Sequence, residues 1–185
     1  TEATDFKSGI SFHKPIVFLL NEGLNDKAFT DAPYKGYEIY FEKMMAYGFF
    51  PSFFSVDASS DPYWQDHSKI ENGRPFFKKY IPIIKQIAEA GWEPVTAASG
   101  NSAAIRIERF GHDNKLFFTV RNNGNQDILC IVLLNLQELG ISEEFSAYEM
   151  VSEKRVIVEE NRLNLMIPSG RTQLIRIGSD EGIIK

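Results

Sequence analysis

The sequence has little of several features that mark common classes of protein. Its 185 residues include one cysteine, Cys130, so an internal disulfide is excluded. No apolar run reaches the length that spans a membrane, and the formal net charge is −5. An acidic balance argues against nucleic acid as the main partner, because such partners need basic surfaces. We therefore expect a globular protein whose partner is neither a membrane nor a nucleic acid.

Motifs for metals, phosphates and nucleophilic catalysis are also missing. The chain has three dispersed histidines, His13, His67 and His112. No HExxH or CxxC pattern occurs, and the glycines form no phosphate-binding pattern. The serines lie in no nucleophile-elbow motif. We therefore expect no metal and no cofactor.

The chain begins at Thr1, without an initiator methionine and without a signal peptide. We expect a processed chain, an expression fragment or a piece of a longer polypeptide. The sequence does not indicate a compartment.

Apolar and aromatic residues are plentiful. Hydrophobic residues make up 43% of the chain, and 15 Phe and 7 Tyr concentrate in its first half. This composition predicts a real core and excludes disorder. The length fits one large domain or two small ones. Cys130 lies in an apolar run, which favours a buried, inert thiol.

Residues 73–95 carry the clearest helical pattern. On a helical wheel, one arc of roughly 140° holds the apolar side chains. They are Phe76, Phe77, Tyr80, Ile81, Ile84, Ile87 and Ala88. Pro75 suits the first turn, and Gly91 suits the position after the last turn. Pro82 falls on the polar side, where it can bend the helix, and Pro94 prevents the helix from resuming.

The residues before this helix predict two βα units. Residues 16–20 are a short continuous apolar run, which fits a strand buried on both faces. A helical stripe follows over residues 37–48. Its polar side is formed by Glu38, Glu42 and Lys43. Residues 49–54 form a second apolar segment, and the helix of residues 73–91 completes a βα segment over residues 1–94.

The residues after this helix predict antiparallel strands. Residues 105–108 alternate between apolar and polar, and an Asn-Gly turn at 123–124 precedes an apolar run over 128–134. Six or seven short strands separated by turns are typical of a β-sandwich. We expect this sandwich to span residues 95–185 as a separate layer, with Trp92 buried at the junction and its indole N–H bonded.

Four segments resemble the C-terminal end of a (β/α)-barrel glycoside hydrolase. KPIVFLLNE is similar to a late barrel strand, and MMAYGFFPSFFS is similar to the passage from a helix to the last strand. GRPFFKKYIPIIKQIAEAGWEPV is similar to the final barrel helix. RLNLMIPSGRTQLIRIG is similar to the closing strands of the β domain appended to such barrels. The resemblance covers residues 14–178 and is one of pattern, without a motif that assigns a family.

The resemblance implies an α/β plus all-β chain, in which two terminal βα units of a barrel-like segment precede an antiparallel β-sandwich. A complete barrel has eight βα units, whereas about two fit here. We therefore expect the missing upstream barrel portion, or another polypeptide, as a partner. The expected ligand is an oligosaccharide or a polysaccharide.

Two carboxylates follow the two predicted strands. In parallel α/β architectures the ligand lies at the carboxyl ends of the strands. Glycoside hydrolysis normally uses two carboxyl groups, one as acid and one as nucleophile or base. Glu22 and Asp57 are the candidates for these catalytic roles. The alternative is that both carboxylates only cap turns or helix ends.

The loop of residues 61–67 contains the side chains that a sugar site needs. Aromatic rings can stack on the C–H faces of sugars, while carboxylates and amides bind their hydroxyls. The candidate substrate-binding residues are Asn21, Asp61, Tyr63, Trp64, Asp66 and His67. The alternative is that the two aromatic rings pack under the loop as a satellite core.

Two classes of function stay open for this chain. It is either the C-terminal portion of a glycoside hydrolase or a non-catalytic carbohydrate-binding or interaction module. A protein of unrelated function with the same pattern is a third reading. The first reading is favoured, because a binding sandwich alone has no need of βα units.

Overall fold

The computed structural model describes residues 15–20, 27–53, 71–113 and 115–179. Its helices are α1 (Lys27–Thr30), α2 (Lys35–Ala46), α3 (Arg74–Ala90) and α4 (Leu136–Leu139). Its strands are β1 (Val17–Leu20), β2 (Phe50–Phe53), β3 (Trp92–Glu93), β4 (Ala98–Gly100), β5 (Ile105–Phe110), β6 (Leu116–Asn122), β7 (Ile128–Leu134), β8 (Ser146–Glu149), β9 (Lys154–Val156), β10 (Val158–Glu159), β11 (Arg162–Ile167) and β12 (Thr172–Gly178). The fold therefore mixes helices with sheets that are mostly antiparallel.

The first part of the described chain is a strand–helix–strand unit. β1 and β2 form a two-stranded parallel sheet, and α2 lies between them in sequence. α3 follows β2 and packs against both β2 and α2. This order of elements was predicted from the sequence. The short helix α1 was not, since its residues lie between the apolar run of residues 16–20 and the helical stripe of residues 37–48, where no element was predicted.

α3 confirms the predicted helix almost residue for residue. Pro75 stands in its first turn, and Gly91 ends it with a φ of 87°, a backbone conformation that favours glycine. Pro82 lies inside the helix on its exposed side. Tyr80, with two isoleucines of the predicted apolar face, is buried. The positions of Pro75 and Gly91 therefore determine where this helix begins and ends.

Two antiparallel sheets form the second part. One sheet has four strands in the order β10-β11-β7-β4, and the other has six in the order β3-β5-β6-β12-β8-β9. Inward-facing residues of both sheets share one core, which includes Phe118, Val132, Leu163 and Ile175. Cys130 is also buried in this core, and burial raises the pKa of its thiol. Both observations agree with the inert thiol predicted from the sequence.

The six-stranded sheet is covered on both faces. Every residue of β6 is buried, because its alternate side chains enter two different cores. Phe117 faces the core formed with α2 and α3, whereas Phe118 faces the four-stranded sheet. The Thr119 hydroxyl donates to the Ala46 carbonyl oxygen over 2.7 Å, which joins β6 to the end of α2. The six-stranded sheet is thus the middle layer of the described structure.

Trp92 lies where the chain passes from α3 into this middle layer. Its indole N–H donates to the Glu108 carboxylate over 2.9 Å, as predicted. The side chain is only partly buried, whereas the sequence predicted a buried one. Its strand β3 pairs with β5 in the six-stranded sheet, whereas β1 and β2 form a separate sheet. The predicted division into residues 1–94 and 95–185 stays a prediction.

Candidate functional site

The carboxyl ends of β1 and β2 lie side by side. The register pairs Val17 with Phe50 and Leu20 with Phe53, so the carboxyl ends of both strands lie at the same end of their sheet. Neighbouring strands are about 4.8 Å apart. The segments that follow Leu20 and Phe53 therefore start next to each other. The predicted site depends on this arrangement, in which two parallel strands end side by side.

All the predicted site residues lie outside the described residues. They are the catalytic candidates Glu22 and Asp57 and the substrate-binding candidates Asn21, Asp61, Tyr63, Trp64, Asp66 and His67. The structure brings together the strand ends that precede them but does not place their side chains. Each of these assignments stays a prediction.

Tyr40 connects the two strands close to their carboxyl ends. Its hydroxyl lies 2.9 Å from the Phe18 carbonyl oxygen and 3.1 Å from the Ser52 carbonyl oxygen, both of which can accept its proton. The Ser52 backbone N–H donates to the same hydroxyl over 3.2 Å. The sequence placed Tyr40 in the apolar stripe of α2 but gave no sign of this polar role.

A cluster of aromatic rings supports the strands from the side of the helices. Tyr37 and Phe41 of α2 lie against Phe76 of α3, with ring centroids 5.6 Å and 6.0 Å apart. Phe77 meets Phe41 edge to face, with a centroid distance of 4.9 Å. Such pairs add about 0.5–1.5 kcal/mol each beyond their buried area. They pack α2 against α3, and both helices pack against β2.

Glu42 corrects one expectation from the sequence. The helical pattern placed it on the polar side of α2, but it is only 3% exposed. α2 is covered on two sides, because it packs against α3 and also against β6 and β12 of the middle layer. Arg171 stabilises the buried carboxylate through bonds of 2.8 Å and 2.7 Å to its two oxygens. The Thr172 backbone N–H donates a third bond of 3.0 Å.

The charges around Glu42 change the ionisation of its neighbours. The Tyr80 hydroxyl donates to Glu42 over 3.3 Å, and burial followed by the Glu42 charge raises the pKa of Tyr80. The bond to Glu42 is the main reason that the pKa of Arg171 is raised. Glu38 also contacts Arg171, at 3.1 Å. The cluster therefore holds a permanent cation against carboxylates and a neutral phenol.

Two clefts open elsewhere in the described structure. The larger, about 1070 Å³, lies at one end of the sandwich, where α4 meets the turn that contains Glu160 and Asn161. Two of its polar lining side chains bond within the protein: Asn135 caps α4, and Asn161 donates to the Leu134 carbonyl oxygen. The smaller, about 420 Å³, is mostly apolar and lies near Ile16 and Trp92, at the amino ends of β1 and β2. Neither cleft lies at the carboxyl ends of the strands.

A metal site was not expected from the sequence. Within the described ranges, no group of three or more His, Cys, Asp or Glu side chains is arranged to hold a metal ion. No helix in the same part of the chain is long and apolar enough to cross a membrane.

The comparisons with known proteins give matches in structure alone. No family model matches the chain, and no curated protein matches it. The solved structures that are similar include the maltogenic alpha-amylase AmyB from Thermotoga neapolitana, with a TM-score of 0.52 and 11% identity over 94% of this chain and 44% of that chain. The alpha-amylase from Geobacillus thermoleovorans has a TM-score of 0.50 and 9% identity over 78% of this chain and 34% of that chain.

Alpha-galactosidase I from Mortierella vinacea has a TM-score of 0.48 and 11% identity over 81% of this chain and 38% of that chain. These proteins are glycoside hydrolases, and the two alpha-amylases, with TM-scores of 0.50 and 0.52, show a similar fold alone at identities this low. The chain spans only 29% to 34% of the length of the first three solved structures that it matches.

Proposed function

We propose that this chain is the C-terminal portion of a glycoside hydrolase-like, carbohydrate-active enzyme. In this proposal β1, α2, β2 and α3 are the last βα units of a (β/α) barrel, and the two antiparallel sheets are the appended β domain. The observation that carries the proposal is the parallel pairing of β1 with β2, which brings their carboxyl ends to the same end of the sheet. The fold likeness to two alpha-amylases supports it.

The side of β1 that faces away from β2 supports an additional upstream portion. β1 has no neighbour other than β2 among the described strands, and Val17 is 62% exposed. Parallel sheets are normally wider than two strands and are covered on both faces. The partner in this proposal is therefore the upstream barrel portion, or another polypeptide, which adds a strand.

The two edges of the β1–β2 sheet are not equivalent. Phe50 N–H donates to the Ile16 carbonyl oxygen, and Ser52 N–H also points between the strands. The residue between them, Pro51, faces the other edge and has no N–H to donate. The side of β1 away from β2 is therefore the better place for an added strand.

In the proposed site, Glu22 and Asp57 supply the two carboxyl groups of glycoside hydrolysis, one as acid and the other as nucleophile or base. Trp64 and Tyr63 supply a surface on which a sugar ring can stack. Asn21, with the polar residues of the loop over 61–67, binds the hydroxyl groups of an oligosaccharide or polysaccharide.

The test is a pair of substitutions in the longest native chain, titrated with oligosaccharides. Trp64→Ala should weaken binding more than it lowers turnover, because a stacking surface holds ground state and transition state alike. Glu22→Ala should lower kcat by about 10²-fold or more while binding persists. Glu89→Ala is the matched control, since Glu89 is an exposed residue of α3 whose removal should change neither quantity.

The results separate the proposal from its alternatives. Binding without hydrolysis in the unmodified chain would identify a non-catalytic carbohydrate-binding module. If the unmodified chain is active but both substitutions leave binding and hydrolysis unchanged in a folded protein, then the assignment of these loops is wrong. Glu22 would then have only the turn-capping role.

A further inference from the structure

Tyr40 stands within the hydrogen-bond pattern of the β1–β2 sheet. In a parallel pair, alternate N–H groups of one strand donate to carbonyl oxygens of the other. Near the amino ends this is observed, since Phe50 N–H donates to the Ile16 carbonyl oxygen over 2.8 Å. At the next such position, Ser52 N–H donates to the Tyr40 hydroxyl over 3.2 Å. That hydroxyl in turn lies 2.9 Å from the Phe18 carbonyl oxygen.

The Tyr40 hydroxyl therefore bridges the two strands, because it accepts a hydrogen bond from the Ser52 N–H and can donate one to the Phe18 carbonyl oxygen. A phenol donates one hydrogen bond and accepts others, so it can accept from Ser52 while it donates to β1. The ring of Tyr40 is fixed by packing: it is 7% exposed and meets Phe41 edge to face at 5.6 Å. α2 therefore holds the hydroxyl in one position, between Phe18 of β1 and Ser52 of β2.

The bridge keeps its proton at ordinary pH. Burial raises the pKa of Tyr40 to about 12, although the bond with the Ser52 backbone lowers it in part. A buried, neutral phenol that is bonded to two backbones is not suited to proton transfer with a substrate. Its hydrogen bonds to Phe18 and Ser52 instead connect it to the two strands.

We infer that Tyr40 is a positioning residue, whose hydroxyl sets the spacing of the carboxyl ends of β1 and β2 and so aligns the groups that follow the two strands. This inference rests on the proposed function. It adds a residue of α2, outside the predicted loops, to the set that determines the reaction rate. A misplacement of catalytic groups by about 1 Å can cost on the order of 10²-fold in rate.

The test compares Tyr40→Phe with Tyr47→Phe in the longest native chain. The first substitution keeps the ring and removes the bridge. The second removes a partly buried hydroxyl that makes no hydrogen bond within the described residues, next to the other end of the strands. We expect Tyr40→Phe to speed hydrogen exchange of the Ser52 amide and to lower the midpoint of thermal unfolding by roughly 5 °C. We expect Tyr47→Phe to leave both measurements close to those of the unmodified chain.

Comparison of the changes in kcat and KM distinguishes a positioning role from an effect on stability alone. Tyr40→Phe should lower kcat between about 10-fold and 100-fold and change KM by less than about threefold, at a temperature where the variant is folded. A folded Tyr40→Phe variant with unchanged kcat overturns the inference, even if its thermal stability falls. So does an equal loss of kcat in Tyr47→Phe.

A second variant removes the same bridge from the other side. Replacement of Ser52 by its α-hydroxy acid converts the peptide N–H into an ester oxygen and leaves Tyr40 in place. If Tyr40→Phe does not fold, then this variant gives the result: a comparable fall in kcat supports the inference, and an unchanged kcat overturns it. If the unmodified chain hydrolyses no saccharide, then the proposed function fails and the positioning role fails with it. An active chain with unchanged kcat in both variants refutes the positioning role alone.

Discussion

Arg171 and Glu42 form a two-bonded ion pair between the turn that precedes β12 and the middle of α2. They lie 129 residues apart in sequence, and the bonds join Nε to Oε2 over 2.8 Å and Nη2 to Oε1 over 2.7 Å. The carboxylate is almost fully buried, whereas the Arg171 side chain is 32% exposed. The pair therefore anchors the helix that supports β1 and β2 on the six-stranded sheet.

Removal of one partner of this pair should be costly. Arg171→Ala leaves the Glu42 carboxylate buried with fewer donors, and we expect a loss of roughly 3 kcal/mol in the free energy of unfolding. Arg171 is partly exposed, which keeps the expected loss at the low end of the range for buried pairs. Denaturation with urea measures it.

The double variant and an exposed pair serve as controls. Glu42→Met with Arg171→Met should cost less than the sum of the single substitutions, because neither charge is left unpaired. Lys85→Ala removes an exposed pair with Glu89 on α3 and should change stability little. An Arg171→Ala protein as stable as the unmodified chain would contradict the anchoring role.

Gly111 should resist substitution more strongly than Gly170. Both have positive φ, at 73° and 70°. A Cβ at Gly111 would lie 1.9 Å from the Lys115 carbonyl oxygen, whereas a Cβ at Gly170 would meet nothing within 4 Å. We expect Gly170→Ala to cost about 1 kcal/mol, from the backbone conformation alone.

We expect Gly111→Ala to cost about 3 kcal/mol or more, because the turn between β5 and β6 must move. Thermal unfolding of the two variants measures the difference, and equal costs would show that the turn adapts freely.

The buried tyrosines make stability depend on alkaline pH. Burial raises the pKa of both Tyr37 and Tyr40 to about 12. In the unfolded chain these phenols ionise near pH 10. The folded protein therefore binds more protons than the unfolded one between about pH 10 and 12, so stability is fully present below pH 10 and falls as pH rises.

Urea denaturation at a series of pH values from 8 to 11 should show this fall. Tyr37→Phe removes one of the buried tyrosines whose pKa is raised and should show a shallower fall. Absorbance at 295 nm should show that the buried phenols ionise together with unfolding. Full ionisation in a folded protein at pH 10 would contradict the prediction.

The sequence predicted those elements whose signals are local. α3 has a proline in its first turn and a glycine after its last, and both mark its limits without reference to the rest of the chain. α4 was missed, although Asn135 and Glu138 carry the spacing of a helix cap and the Asn135 side chain accepts from the Glu138 N–H. That signal was available and could have located the helix.

Long-range pairings were not predictable in the same way. Nothing near Glu42 in the sequence indicates that Arg171 lies against it, so the pattern of one helix placed a buried carboxylate on the polar side. The Tyr40 bridge has the same origin, because its partners Phe18 and Ser52 belong to two different strands. The candidate site itself depends on loops that leave the strand ends, and its residues stay predictions.

The exposed side chain of Val17 on β1 leads to the last prediction. A large apolar side chain on a strand, here 62% exposed, favours association with another chain. We expect the 185-residue chain to self-associate in sedimentation velocity at micromolar concentration. Val17→Lys should reduce the association, because a charge at this position opposes pairing and the exposed position can hold it without loss of stability. Ile157→Lys is the control, since Ile157 is 70% exposed and lies between β9 and β10, away from β1.

A native chain that includes the upstream portion should remain monomeric with Val17 unchanged, because the added strand covers this side of β1. A stable, dilute monomer of the 185-residue chain would show that the edge of β1 needs no partner, and the proposed upstream portion would lose its main physical support.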